Sequence, residues 1–442
     1  MHVLYLHQYF VDRRGTAAGR SYEFSRLLLE RGHEVTIVTG SYEYTEQPQS
    51  TGFRVTQRWV DGIDVRTVPV FYSQVMPYWR RIVAFGMFMT GASIVASGVK
   101  GADVVYATSP PLTIAIPGIV ASLYHGTPFV FEVRDLWPEA PIQMGAIRHP
   151  ALKAAATLLG KVAYFCADHI VALSPGMRER IVEVGVNPNR VSVITNCSDV
   201  ELMRKPELAD EFWEQYPELK GRPVLLHAGA FGRINGLEYA IDLAKQLQYI
   251  NPQIALVLMG RGSEKERITE LARSAGVLDR NLFIYDSLPR HELGKALSAA
   301  TALMTFVAPI PVLATNSANK FFDAFAAGKP VFVNCRGWQG DLLARTGAGE
   351  EIPADDTAKA AQMISARLQD KAWMEAASKA SRELGDTTFN RKERVKDFER
   401  VLQDAVNSHV SKARTWWNRL IGKEFPETVS TDVIDATGAT DA

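Results

Sequence analysis

The 442-residue chain has only three cysteines, Cys166, Cys197 and Cys335. They lie too far apart for a disulfide framework or a zinc motif, so the chain is read as one kept reduced inside the cell. An excess of one charge is also missing: 49 Lys and Arg balance 49 Asp and Glu. Without a basic field, no nucleic-acid partner is expected. The opening apolar run, residues 1–6, is too short for a secretory leader. Neither G-x-G-x-x-G nor a P-loop occurs, which argues against a nicotinamide enzyme and a P-loop ATPase. No D-x-D and no His pair at ligand spacing is present. An apolar, uncharged stretch, residues 82–99, has bases on both sides. It is read as a buried core helix, with contact to a membrane surface left open.

What is present is alternation. Short apolar runs at residues 3–6, 35–39, 104–107, 129–133, 169–173 and 191–194 alternate with helix-length segments, the rhythm of βαβ units on a parallel sheet. A second series follows at residues 224–227, 255–259, 282–285, 302–305 and 331–333. The fold class is therefore α/β, two doubly wound domains facing across a cleft with a C-terminal helical extension. The first domain is assigned residues 1–200, a charged interdomain link residues 201–222, and the second domain residues 223–385. Helices at 386–423 are expected to pack partly back on the first domain or on a membrane. Within them, residues 411–423 interleave Lys412, Arg414, Arg419 and Lys423 with Trp416 and Trp417. That pattern fits an interfacial helix or a docked terminal helix equally. Residues 424–442 hold acids and no base, and are expected to be a disordered tail.

Anion chemistry is concentrated in strand-to-helix loops. The loop after the first strand contains Gly15, read either as an anion contact or as a structural turn. After residue 227 come Gly229, Gly232 and Arg233, where glycines admit diphosphate oxygens and the arginine offsets their charge. Gly260 and Arg261 form a second such turn at the same edge. Two of them favour a nucleotide. Asn319, Lys320 and Asp323 then open a helix with an apolar face of Phe321, Phe322 and Phe325. Lys320 and the helix N-terminus suit phosphate oxygens, and Asp323 suits both hydroxyls of a ribose. A plain i,i+3 ion pair between Lys320 and Asp323 is the alternative.

These residues resemble the glycosyltransferases of family 4 with GT-B architecture, in the bacterial branch similar to fucosamine transferases of polysaccharide assembly. The resemblance rests on His7-Gln8-Tyr9-Phe10, Arg31-Gly32-His33-Glu34, Ala107-Thr108-Ser109-Pro110-Pro111, Arg134-Asp135-Leu136-Trp137-Pro138-Glu139, and Asn319-Lys320-Phe321-Phe322-Asp323 through Gly328-Lys329-Pro330. It implies a retaining, metal-independent transferase with no resident cofactor, moving a sugar from a nucleoside diphosphate donor, UDP favoured, to a lipid-linked glycan; the absence of D-x-D and of a His pair agrees with this. The expected setting is surface or capsular polysaccharide biosynthesis, peripheral at the inner face of the bacterial plasma membrane.

On this reading Asp135, Arg233 and Lys320 are catalytic. The donor site comprises Gly15, Gly232, Arg233, Gly260, Arg261, Ser287, Leu288, Asn319, Lys320 and Asp323, with the base near residues 286–288. The acceptor site comprises His7, Tyr9, Arg134, Asp135 and Glu139. Arg134-Asp135 is alternatively an ion pair bracing its loop. The family's paired glutamates, eight positions apart, fall on Thr315 and Asp323, so the first acid is missing. A nucleotide-sugar epimerase or phosphorylase of the same fold, and a non-catalytic nucleotide-sugar-binding partner of an assembly complex, are the other readings.

Overall fold

A computed structural model describes residues 1–13, 19–42, 54–73 and 76–420. Gly15, Lys423 and the 424–442 tail lie outside the described residues. So do the side chains of residues 410–420, where the sequence pattern suggested an interfacial piece.

The first sheet contains β1 (His2–Leu6), β2 (Glu34–Tyr42), β3 (Thr56–Val60), β4 (Ile63–Tyr72), β5 (Val104–Thr108), β6 (Phe129–Val133), β7 (His169–Ala172) and β8 (Val191–Val193). Their spatial order is β3-β4-β2-β1-β5-β6-β7-β8. All neighbours are parallel except the β3–β4 hairpin, with Val3 opposite Val35 on one side and Val104 on the other. β1, β5 and β6 read as unbroken apolar runs because helices cover both faces of the sheet.

The second sheet contains β9 (Val224–Ala228), β10 (Ala255–Met259), β11 (Leu282–Tyr285), β12 (Ala302–Thr305), β13 (Val331–Val333) and β14 (Gly349–Glu351). It is parallel throughout, in the order β11-β10-β9-β12-β13-β14. Strand order reverses at β1 in one sheet and at β9 in the other. The crevices at their carboxyl ends are where such sheets bind ligands.

Residues 201–222, expected as a link, are folded into the second domain. The segment forms helices Val200–Met203 and Ala209–Gln215, and its Met203, Phe212 and Leu219 are fully buried in that domain's core. Charged residues dominate the stretch, yet these three apolar anchors are enough to seat it. The chain returns through helix Arg391–Leu420, which lays Val395, Phe398, Leu402 and Ala405 on Tyr5 and Tyr106 of the first domain. Where the chain passes between domains, its two passages bond to each other. The Ser198 N–H donates to the Phe389 carbonyl and the Arg391 N–H to the Ser198 carbonyl, each at 3.3 Å.

The uncharged stretch forms helix Tyr78–Ser97. It is not buried all round: Ala84, Phe88, Ala92 and Ala96 face the core, while Ile82, Val83, Met87 and Ile94 are exposed. Among the described residues no helix is long and apolar enough to cross a membrane.

Candidate active site

The donor side is built at the end of β9. The next two loops meet backbone to backbone: a Cβ on Gly260 would lie 1.8 Å from the Gly229 carbonyl oxygen, and one on Gly262 would lie 2.4 Å from that of Phe231. Gly260 is thus required by packing. Gly232 has open space where its side chain would be, so an anion can approach its backbone. Arg233 is 77% exposed, lies 3.7 Å from Glu264, and lines a cavity of about 770 Å³ with Gly236, Val307, Ile310 and Asn334. Arg261 is exposed.

Helix Asn319–Ala327 brings Lys320 over the Gly229 loop. Its first turn has no side-chain cap, which leaves backbone donors for a ligand. The Lys320 ammonium donates to Asn235. Glycine at 229 gives the lysine room, since a Cβ there would lie 3.1 Å from the Lys320 Cε and 3.3 Å from its Nζ. Burial lowers the Lys320 ammonium to about 7. A second cationic candidate is silenced: His227 is fully buried beneath, and burial followed by the charge of Lys320 holds it well below the usual range. Neutral His227 bonds the Met304 carbonyl at 3.1 Å through Nδ1, and its Nε2 has no partner.

Asp323, expected to face a ribose, is 4% exposed and engaged elsewhere. Arg290 donates to both its oxygens at 2.7 and 2.6 Å, and the Ser198 hydroxyl donates as well. Lys320 and Asp323 therefore do not pair with each other. Near the expected base contacts, Leu288 packs on the second domain's core and the buried Ser287 hydroxyl has no partner. Asp286 beside them pairs with Lys265 at 2.6 Å. Thr315, at the missing acid's position, accepts the Ser174 hydroxyl on its carbonyl at 2.6 Å and so joins the two domains.

On the acceptor side, His7 follows β1 and is buried. Its Nδ1 pairs with the Ser21 hydroxyl at 2.7 Å, and its Nε2 lies 3.3 Å from Arg134 Nη1. Because Arg134 can only donate, Nε2 accepts and the ring is the Nδ1–H tautomer. Burial and then the Arg134 charge keep it neutral. Arg134 thus turns to His7, and the alternative ion pair with Asp135 is not formed. The Asp135 carboxyl has no hydrogen-bond partner among the described residues, and burial raises it while Arg134 opposes that shift. Tyr9 joins an aromatic cluster, its ring 5.1 Å from Tyr42 and 4.8 Å from Tyr72. Glu139 sits apart from this group, 3.4 Å from Arg180.

Sequence reasoning missed Arg290, Ser198 and His227, along with the buried amide of Gln8, which has no partner. Gln8 and His227 carried one signal, a polar residue at the end of an apolar strand. Among the described residues no group of His, Cys, Asp and Glu is arranged to hold a metal ion.

A glycosyl transferase 4-like domain matches residues 15–197, and a domain of the glycosyl transferases group 1 matches residues 209–384. Sucrose-phosphate synthase from Thermosynechococcus elongatus is similar in structure, with a TM-score of 0.72 at 16% identity over 92% of this chain and 99% of its own. Anabaena Alr3699/HepE in complex with UDP-glucose gives 0.65 at 16% identity, covering 93% and 100%. WaaG, a glycosyltransferase involved in lipopolysaccharide biosynthesis, gives 0.65 at 14%, covering 90% and 99%. No curated protein matches the chain in sequence. At these identities the likeness carries the fold and leaves the substrate to the site itself.

Proposed function

We propose, from the premise that this chain is a glycosyltransferase of GT-B architecture with a 4-like and a group 1 domain, that it transfers a sugar from a nucleoside diphosphate donor to a lipid-linked glycan. The observation that carries the reading is the desolvated Lys320 amine, set over the glycine loop after β9 beside an uncapped helix start. A half-buried cation held by a single neutral amide is poised for an anionic ligand, and a diphosphate fits that demand. UDP is the favoured nucleotide, supported by the UDP-glucose in the HepE structure. The likeness to WaaG, a glycosyltransferase involved in lipopolysaccharide biosynthesis, supports a role in surface polysaccharide assembly.

In this reading Gly232 admits the diphosphate oxygens, and Lys320, Arg233 and backbone N–H groups offset the charge that grows as the sugar departs. Ser287 and Leu288 border the base. Asp323 acts by fixing Arg290 and the Ser198 passage. Across the cleft Asp135 orients the acceptor hydroxyl beside His7, Tyr9 and Arg134. The bond from C1 to the diphosphate oxygen breaks, the acceptor oxygen bonds C1 on the same face, and the departing diphosphate takes the hydroxyl proton.

Calorimetric titration with UDP-, GDP- and dTDP-sugars in EDTA tests this. One nucleotide is expected to bind, with at least tenfold loss in Lys320→Ala, followed by transfer to a lipid-linked acceptor. Absence of binding by all three overturns it. Thr315, used as a domain contact and carrying no carboxylate, favours one second reading, a donor-binding partner without turnover. Binding with no transfer to any lipid-linked acceptor selects that reading.

A further inference from the structure

The helix layer on one face of the first sheet is apolar outside as well as inside. Helix Tyr78–Ser97 exposes Val83, Met87 and Ile94 along one stripe, with Trp79 at its start. Its neighbour, helix Ala115–His125, exposes Leu123 at 78% and Tyr124 at 71%. Beside that, helix Pro150–Cys166 exposes Leu158 at 64% and Phe165 at 84%. Single exposed apolar residues are ordinary, whereas three adjoining helices with the same outward chemistry mark a surface that meets something.

Charge identifies the partner. None of the three helices contains an acid, and their charged residues are Arg80, Arg81, Lys153 and Lys161, in a chain of zero net charge. An apolar face with a purely basic complement, and Trp79 and Tyr124 among its exposed rings, is matched by anionic headgroups over acyl chains. The C-terminal helix joins the same edge: His409 lies 3.0 Å from the Gly126 carbonyl, at the end of the second helix. From there it runs to Leu420 through Lys412, Arg414 and Arg419 with no acid.

We infer that this three-helix face docks the protein peripherally on an anionic bilayer. The docked face borders the acceptor side of the cleft, since Phe85 on its first helix stacks on Tyr72 at 5.4 Å and Tyr72 meets Tyr9. The inference rests on the lipid-linked-acceptor reading only for the purpose of the contact.

Full-length protein is sedimented with vesicles of phosphatidylglycerol and phosphatidylethanolamine, and separately with phosphatidylcholine vesicles. At least tenfold tighter partition onto the anionic vesicles is expected. The double variant Met87→Asp/Ile94→Asp, and independently Leu123→Asp, are expected to lose at least tenfold of it, with UDP binding and thermal melting unchanged. No partition onto anionic vesicles, or partition undiminished in both variants, overturns the inference. So does a dimer in gel filtration that the same substitutions dissociate, which gives the face to a second copy. Vesicle binding lost in the variants while wild-type protein binds no nucleotide sugar supports the lipid face and removes the donor reading.

Discussion

Arg290 holds the Asp323 carboxylate through both terminal guanidinium nitrogens, at 2.7 and 2.6 Å, while the Ser198 hydroxyl donates to the same group. The arginine follows β11, the aspartate lies in the helix of Lys320, and the serine sits on the passage between domains. Both charged side chains are nearly buried, at 12% and 6% exposure. Removing one partner strands the other charge, a loss of about 3–5 kcal/mol. Asp323→Ala is expected to lose that much in urea unfolding and to lose donor turnover with it. Wild-type stability in this variant contradicts the structural role given to the pair.

Lys320 makes stability and donor binding depend on pH in opposite senses. Its folded value of about 7 lies below the roughly 10.4 of an unfolded lysine. Between those values the unfolded chain binds the extra proton, so the lysine's contribution to stability rises with pH across the window and its penalty is full below pH 7. A bound diphosphate restores the ammonium, so donor affinity is expected to fall as pH rises from 7 to 9. Lys320→Met should flatten both slopes. Melting temperatures and calorimetry in buffers of different ionisation heat, which report proton uptake on binding, check this.

The two glycine loops separate packing from ligand approach. Gly260→Ala forces a methyl against the Gly229 carbonyl, and a loss of about 1–3 kcal/mol is expected. Gly232→Ala meets open space at φ −115°, so stability is expected to hold or rise by about 0.4–1 kcal/mol. Its donor affinity should nonetheless fall at least tenfold. Equal donor binding in Gly232→Ala and the wild type removes Gly232 from the site.

Asp135→Asn keeps the shape of a carboxyl that has no partner among the described residues. Donor affinity is expected to stay within twofold, while kcat/KM for the acceptor falls by about 100-fold through misorientation of its hydroxyl. Steady-state kinetics with the acceptor varied separates the two effects. A parallel fall in donor binding would place Asp135 on the other substrate.

The central strands were legible in the sequence because burial on both faces demands continuous apolar runs, as in residues 104–107 and 255–259. The β3–β4 hairpin was not: Thr56–Val60 is polar and mostly exposed at the sheet edge, and Ile63–Tyr72 places Asp64, Arg66 and Thr67 among its apolar residues. β14 reads Gly-Glu-Glu and carries no apolar signal. Motif spacing located the loops at the strand ends, but not which side chain bonds to which. Asp323 finds Arg290 at a separation of 33 residues and Ser198 at 125. Such partners are set by the packing of the two domains and leave no local pattern.

The paired passages between the domains have a kinematic consequence. Ser198 is laced on both sides to the returning chain, at Phe389 and Arg391. One tether alone acts as a ball joint, free to swing and twist. Two tethers bonded side by side act as a hinge pin: rotation about their common line leaves both bonds intact, whereas sliding or twisting one domain on the other shears them. Any motion of the domains about that line is therefore expected to follow one arc, carrying Asp135 along it relative to the Gly232 loop. On the proposed reading, alignment of the two substrates would be set by this hinge, well away from the reacting atoms.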